Sequence, residues 1–97
     1  MQVLATQSYS KIVREVTRLG KEEVEEARTM YLYPNQLVTK YHQFPIENIL
    51  DMSFRKVGTS GGLLYVHTIS GVFPYTVAAS PEEFIRVFKE HCHRKYL

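Results

Sequence analysis

Ser80-Pro81-Glu82-Glu83-Phe84-Ile85-Arg86-Val87-Phe88-Lys89-Glu90-His91-Cys92 is the stretch that decides the fold. Ser80 is a good N-cap, Pro81 suits the first helical position, and Glu83 stands where a capping box needs its acid. Glu82 and Glu83 lie at the positive end of the helix dipole; Lys89, His91, His93, Arg94 and Lys95 gather at the negative end. Phe84, Ile85, Phe88 and Cys92 recur at helical spacing and form one apolar stripe. The spacing predicts an amphipathic helix over residues 80–96. Its stripe must bury against another layer, and the preceding chain supplies one.

Upstream, the apolar period changes from 3.6 to two. Residues 29–33 read as a strand, Pro34-Asn35 as a turn, and residues 36–42 as the returning strand of a hairpin. Phe44-Pro45 interrupts the pattern, because proline cannot donate to a ladder. Residues 46–57 resume it, with Leu50, Met52 and Phe54 expected on one face and Asp51, Ser53 and Arg55 on the other. Residues 58–62 are glycine-rich and predict a flexible loop. Residues 63–69 and 72–78 flank Ser70-Gly71, a two-residue connection that accepts positive φ. Pro74 predicts an edge strand or a bulge.

The first 28 residues read less cleanly. Tyr9, Ile12, Val13, Val16 and Leu19 fall at helical spacing, with Gly20 as a stop, which predicts a helix over residues 8–19. The β-branched run within residues 12–17 keeps a strand open. Residues 21–28 are charged and read as a helical turn or linker. The fold class expected is therefore α+β: a twisted, mostly antiparallel sheet, one C-terminal helix, and a helical or mixed N-terminal segment.

At 97 residues the chain is expected to be a single domain, divided into an N-terminal segment (1–28) and a meander plus helix (29–97). An apolar fraction of 44% with 23% charged residues argues against wholesale disorder. A net charge of +2 is far below that of a committed nucleic-acid binder, which makes nucleic acid an unlikely partner. The single cysteine, Cys92, rules out an internal disulfide and fits a reducing compartment. No apolar run approaches the roughly 18 residues of a membrane span, and residues 1–5 build no signal peptide. The expected location is the cytoplasm.

Taken together, Tyr31-Leu32-Tyr33, Phe44-Pro45-Ile46-Glu47-Asn48-Ile49, Leu63-Leu64-Tyr65-Val66-His67-Thr68, Phe73-Pro74-Tyr75-Thr76-Val77 and Pro81-Glu82-Glu83-Phe84-Ile85 form a pattern that resembles bacterial pleckstrin-homology-like (PH-like) domains. The resemblance spans residues 29–90. It implies a bent, barrel-like sheet plugged at one end by the C-terminal helix, and a binding or assembly module of undefined ligand. That family has seven strands against five readable here, so residues 1–28 must supply two more or replace them with helix. The basic loop with which eukaryotic relatives hold phosphoinositide head groups is missing, although Arg55 and Lys56 precede the glycine-rich loop.

No catalytic set assembles along the chain. His91-Cys92-His93 would point about 100° apart on a helix, which prevents convergence on one metal ion. His42 and His67 lie on different strands, and two ligands make no zinc site. The Gly58 to Gly62 loop lacks the lysine and the following helix of a phosphate-binding loop. No metal, no cofactor and no enzymatic activity are expected.

Tyr31, Tyr33, Tyr41, Tyr65 and Tyr75 are the candidate binding residues, because tyrosines on strands tolerate both water and burial and are enriched at interfaces. The function expected is a non-enzymatic interaction module that binds a protein, a peptide or another copy of itself through exposed strand surfaces. One alternative is an anionic membrane surface met by Arg55 and Lys56. Another is weak DNA binding, since residues 49–68 and the ending His93-Arg94-Lys95-Tyr96 are similar to LytTR-type DNA-binding domains.

Overall fold

The computed structural model describes residues 2–17, 20–59 and 61–95. In chain order the elements are β1 (Ala5–Thr17), β2 (Gly20–Tyr33), β3 (Gln36–Val38), β4 (Gln43–Pro45), a 3-10 turn (Ile46–Asn48), β5 (Ile49–Val57), β6 (Gly61–Thr68), β7 (Gly71–Val77) and α1 (Glu82–Lys95). The strands form one antiparallel sheet in the order β4-β3-β2-β1-β7-β6-β5, which leaves β4 and β5 as its edges.

The N-terminal helix expected over residues 8–19 is overturned: residues 5–17 and 20–33 form one long hairpin. Its register sets Lys11 opposite Glu26, Arg14 opposite Glu23 and Val13 opposite Val24. The backbone ladder is continuous from Ala5 to Thr17, and Lys11 and Glu26 form a cross-strand pair of opposite charge within it; that pairing outweighs the helical spacing of the apolar residues. Leu19 lies outside the described residues. Among the described residues, 11–17 and 20–26 pair only with each other, so the hairpin projects and the molecule measures 57 × 28 × 25 Å.

The C-terminal helix follows its sequence. Phe84 and Phe88 are buried against Met30 and Leu32 of β2, Leu37 of β3, Met52 of β5, and Leu64 and Val66 of β6, while Ile85 and Cys92 pack at the rim. Burying each phenylalanine contributes about 2–3 kcal/mol, enough to hold the helix on the sheet. Ser80 Oγ accepts the Glu82 N–H at 3.3 Å, but Glu83 turns to Arg86 instead of closing the capping box. At the far end, His91 Nε2–H donates to the Pro34 carbonyl at 2.7 Å and ties α1 to the β2–β3 turn. Tyr96 lies outside the described residues.

Three further expectations shift. The strand expected over residues 36–42 ends at Val38. The Thr39 N–H then bonds the His42 carbonyl at 2.9 Å, and the chain reverses into β4, whose Pro45 sits on a sheet edge where no donor is needed. Leu50 does not share the core face with Met52. A bulge between Ile49 and Asp51 turns Ile49 inward and leaves Leu50 66% exposed. The loop expected over residues 58–62 ends early, because Gly61 and Gly62 already belong to β6; Ser60 lies outside the described residues. A Cβ on Gly62 would stand 2.1 Å from the Arg55 carbonyl oxygen, so β5 and β6 approach more closely than any side chain permits.

Pro74 has its own explanation. β7 runs between β6 and β1 but pairs with β1 only at Ser10 and Thr76. The proline falls where those two strands have already parted.

Candidate functional site: a basic, aromatic cleft at the root of the hairpin

Where β1 leaves β7, a cleft of about 270 Å³ opens. Tyr9, Ser10 and Lys11 of β1 line one side, with Arg28 beside them on β2. The opposite wall is β7 from Phe73 to Thr76, and the β3–β4 loop closes the mouth with Thr39, Tyr41 and His42. Helix α1 is bound to the Pro34 turn at one end of β3, whereas the cleft lies at the other.

The aromatic framework is packed. Tyr9 and Tyr75 meet edge to face at 5.1 Å, and the Tyr9 hydroxyl accepts the Lys40 N–H at 3.2 Å. His42 stacks on Phe44 at 5.4 Å and leans on Phe73 at 5.2 Å. These contacts hold the loop against β7 and shape the wall.

Tyr41, 66% exposed, is surrounded by cations. Arg28 Cζ lies 5.0 Å from its ring centroid, Lys40 Nζ 5.6 Å and Lys11 Nζ 5.7 Å. All three fall within cation–π range of one ring. Against them, among the described residues, stands the carboxylate of Glu26, paired with Arg28. That hydrogen bond holds Glu26 below the usual glutamate range, with Lys40 and Lys11 adding to the effect, and holds the guanidinium above its own. The four charged groups sum to two surplus positive charges.

The deepest polar atoms of the cleft are incompletely satisfied. Arg28 keeps only 7% of its side chain exposed, and its Nε has no hydrogen-bond partner. The buried Tyr75 hydroxyl lies near Thr39 without completing a hydrogen bond, and burial pushes its pKa up. These two are the buried side-chain polar atoms without a partner among the described residues, and both belong to residues lining this cleft. Buried donors in that condition favour any ligand that brings acceptors.

The structure distributes the residues singled out from sequence over separate places. Tyr41 and Tyr75 are in the cleft. Tyr31 and Tyr33 are neighbours on β2, their rings 6.5 Å apart, on the face opposite Met30 and Leu32. Tyr65 sits beside His67, whose Nε2 shares a 2.7 Å hydrogen bond with the Ser53 hydroxyl. Arg55 and Lys56 are exposed on β5, an edge of the sheet, and line no part of the cleft. His42 stacks in the cleft while His67 is engaged on β6, so the two do not form a pair. Among the described residues no three histidine, cysteine, aspartate or glutamate side chains could hold a metal ion. The side chain of His93 lies outside the described residues.

Lys11, Arg28 and Lys40 carry the charge of the cleft and were not singled out by the sequence. They are 12 or more positions apart, and only the adjacent Lys40-Tyr41 carries a local signal. No family model matches the chain, and no curated protein or solved structure does. No described helix is long and apolar enough to cross a membrane.

Proposed function

We propose that this protein is a non-enzymatic, cytoplasmic interaction module that captures an acidic peptide segment of a partner protein in the cleft at the root of the β1–β2 hairpin. The observation that carries the proposal is the convergence of Lys11, Arg28 and Lys40 on Tyr41, with Glu26 as the carboxylate set against them among the described residues. The parting of β1 and β7 adds a second support. Beyond the Ser10–Thr76 pair no strand among the described residues pairs with that side of β7, so its main-chain groups there, apart from the donor that Pro74 lacks, are open to an extended segment. Arg55 and Lys56, which stand away from the cleft, take no part in this reading.

Seven antiparallel strands followed by one helix are the element order that the PH-like resemblance implies. It supports reading the chain as a PH-like binding module whose cations lie at the hairpin root instead of in a basic loop.

Titration calorimetry with hexaglutamate at low ionic strength tests the proposal. Binding should weaken steeply with salt, hexalysine should not bind, and a Lys11→Ala/Lys40→Ala variant should lose about tenfold, since each exposed charge contact contributes about 0.2–1 kcal/mol. Absence of binding at low salt, or equal binding by the double variant, refutes it. Phosphatidylserine vesicles and a short DNA duplex serve as competing probes; preference for either would transfer the site to the corresponding alternative.

A further inference from the structure

The sheet ends in two unlike edges. β4 has three residues and a proline, a short edge that resists pairing. β5 has nine residues, and no strand pairs with its outer side among the described residues. Two large apolar side chains stand exposed at its ends, Leu50 at 66% and Val57 at 56%. A strand edge of this length with no strand paired to it is a template for another strand, and the charges it carries decide which strand fits.

We propose that two copies of this chain pair through the outer edges of β5, antiparallel about a two-fold axis at Ser53, with Asp51 of each copy facing Arg55 of the other. The register follows from symmetry and charge. In an antiparallel pair related by a two-fold axis, one residue must face its own copy, so the candidates are few. An axis at Arg55 or Lys56 sets like charges face to face. An axis at Met52 or Phe54 pairs no charge with its opposite. Only the axis at Ser53 brings Asp51 and Arg55 together, twice, and it also sets Met52 opposite the half-buried Phe54.

Asp51 is available for that contact. Its present partner is Lys89 at 3.8 Å, with both side chains more than half exposed, a pairing that contributes little. Arg55 and Lys56 repel arbitrary basic strands from this edge, while the second copy supplies the compensating acid. The cleft is on another part of the sheet, so this pairing stands or falls independently of the function proposed above.

Sedimentation equilibrium from micromolar to millimolar concentration provides the test. The wild-type chain should approach twice its 11.3 kDa mass as concentration rises. Asp51→Arg and Arg55→Asp should each weaken dimerisation by about tenfold or more, because each places like charges opposite one another at two symmetric contacts. The combined Asp51→Arg/Arg55→Asp chain restores both pairs and should dimerise like wild type. Melting curves of the three variants, whose altered side chains are exposed, would identify a loss of folding. A wild-type chain that stays monomeric throughout overturns the proposal. So do single variants that still dimerise, or a folded double variant that does not recover.

Discussion

Arg28 and Tyr41 meet with the guanidinium carbon 5.0 Å from the ring centroid, although one comes from the middle of β2 and the other from the β3–β4 loop. The contact joins a nearly buried cation to an exposed ring. Replacing Tyr41 by alanine should lower the melting temperature by only a few degrees, because the ring is mostly in water and what is lost is its cation–π contacts. It should weaken hexaglutamate binding several-fold by releasing Lys11 and Lys40 from cation–π contacts that contribute about 0.5–1 kcal/mol each at exposed sites.

Glu26 limits the charge of the cleft. Glu26→Gln removes the carboxylate that neutralises Arg28 and raises the surplus from two positive charges to three. Hexaglutamate should bind more tightly and with a steeper dependence on salt, read from titrations at several ionic strengths.

The pH dependence has a defined sign. Glu26 and Glu83 are both held below the ordinary glutamate value of 4.5 by hydrogen bonds from Arg28 and Arg86. A carboxylate whose folded pKa is depressed contributes its stability in full above the unfolded value and loses it as pH falls through the folded one. Stability should therefore be insensitive to these groups at neutral pH and decline in the acid range below 4.5. Carbon-detected NMR titration should show both carboxyls titrating low, and Arg28→Gln should move Glu26, but not Glu83, up toward its ordinary value.

Tyr75→Phe deletes a buried hydroxyl that completes no hydrogen bond. Nothing is broken by its loss and a desolvation cost is removed, so the variant should be as stable as wild type or up to about 1 kcal/mol more stable in urea unfolding. A drop in hexaglutamate affinity in the same variant would place the hydroxyl in contact with ligand.

Gly62→Ala should be among the most damaging single-methyl additions to this chain. Its Cβ would meet the Arg55 carbonyl at 2.1 Å and the Phe54 ring at 2.9 Å, so the β5–β6 ladder itself must move. Strain of this kind costs about 1–3 kcal/mol, visible as a lower midpoint in urea unfolding.

What could be read from sequence were the elements whose causes are local. Ser80, Pro81 and the Phe84–Phe88 stripe define α1, since a cap, a first-turn proline and a helical period all lie within a few residues of one another. The hairpin after β6 is equally local, although its two connecting residues are Ile69-Ser70 instead of Ser70-Gly71: Gly71, with a φ of +132°, already pairs with Thr68. The first hairpin was not legible, because residues paired across it, such as Lys11 with Glu26 and Tyr9 with Arg28, become neighbours only once the register is set. Spacing alone let Tyr9, Ile12, Val13 and Val16 pass for one face of a helix. Leu50 was misplaced for a related reason: a bulge inserts one residue and reverses every parity argument upstream of it.

The cleft depended on tertiary structure throughout. Tyr9, Arg28, Tyr41 and Tyr75 come from four separate segments, brought together because β1 and β7 part after one pair and the β3–β4 loop folds across the gap. By itself the sequence determined the helix, the turns that join β2 to β3 and β6 to β7, and the supply of tyrosines and cations, all properties of neighbouring residues. Only the tertiary structure decided which of those cations share one ring and which donors are buried without acceptors, because electrostatic and desolvation energies depend on distance in space and not on separation along the chain.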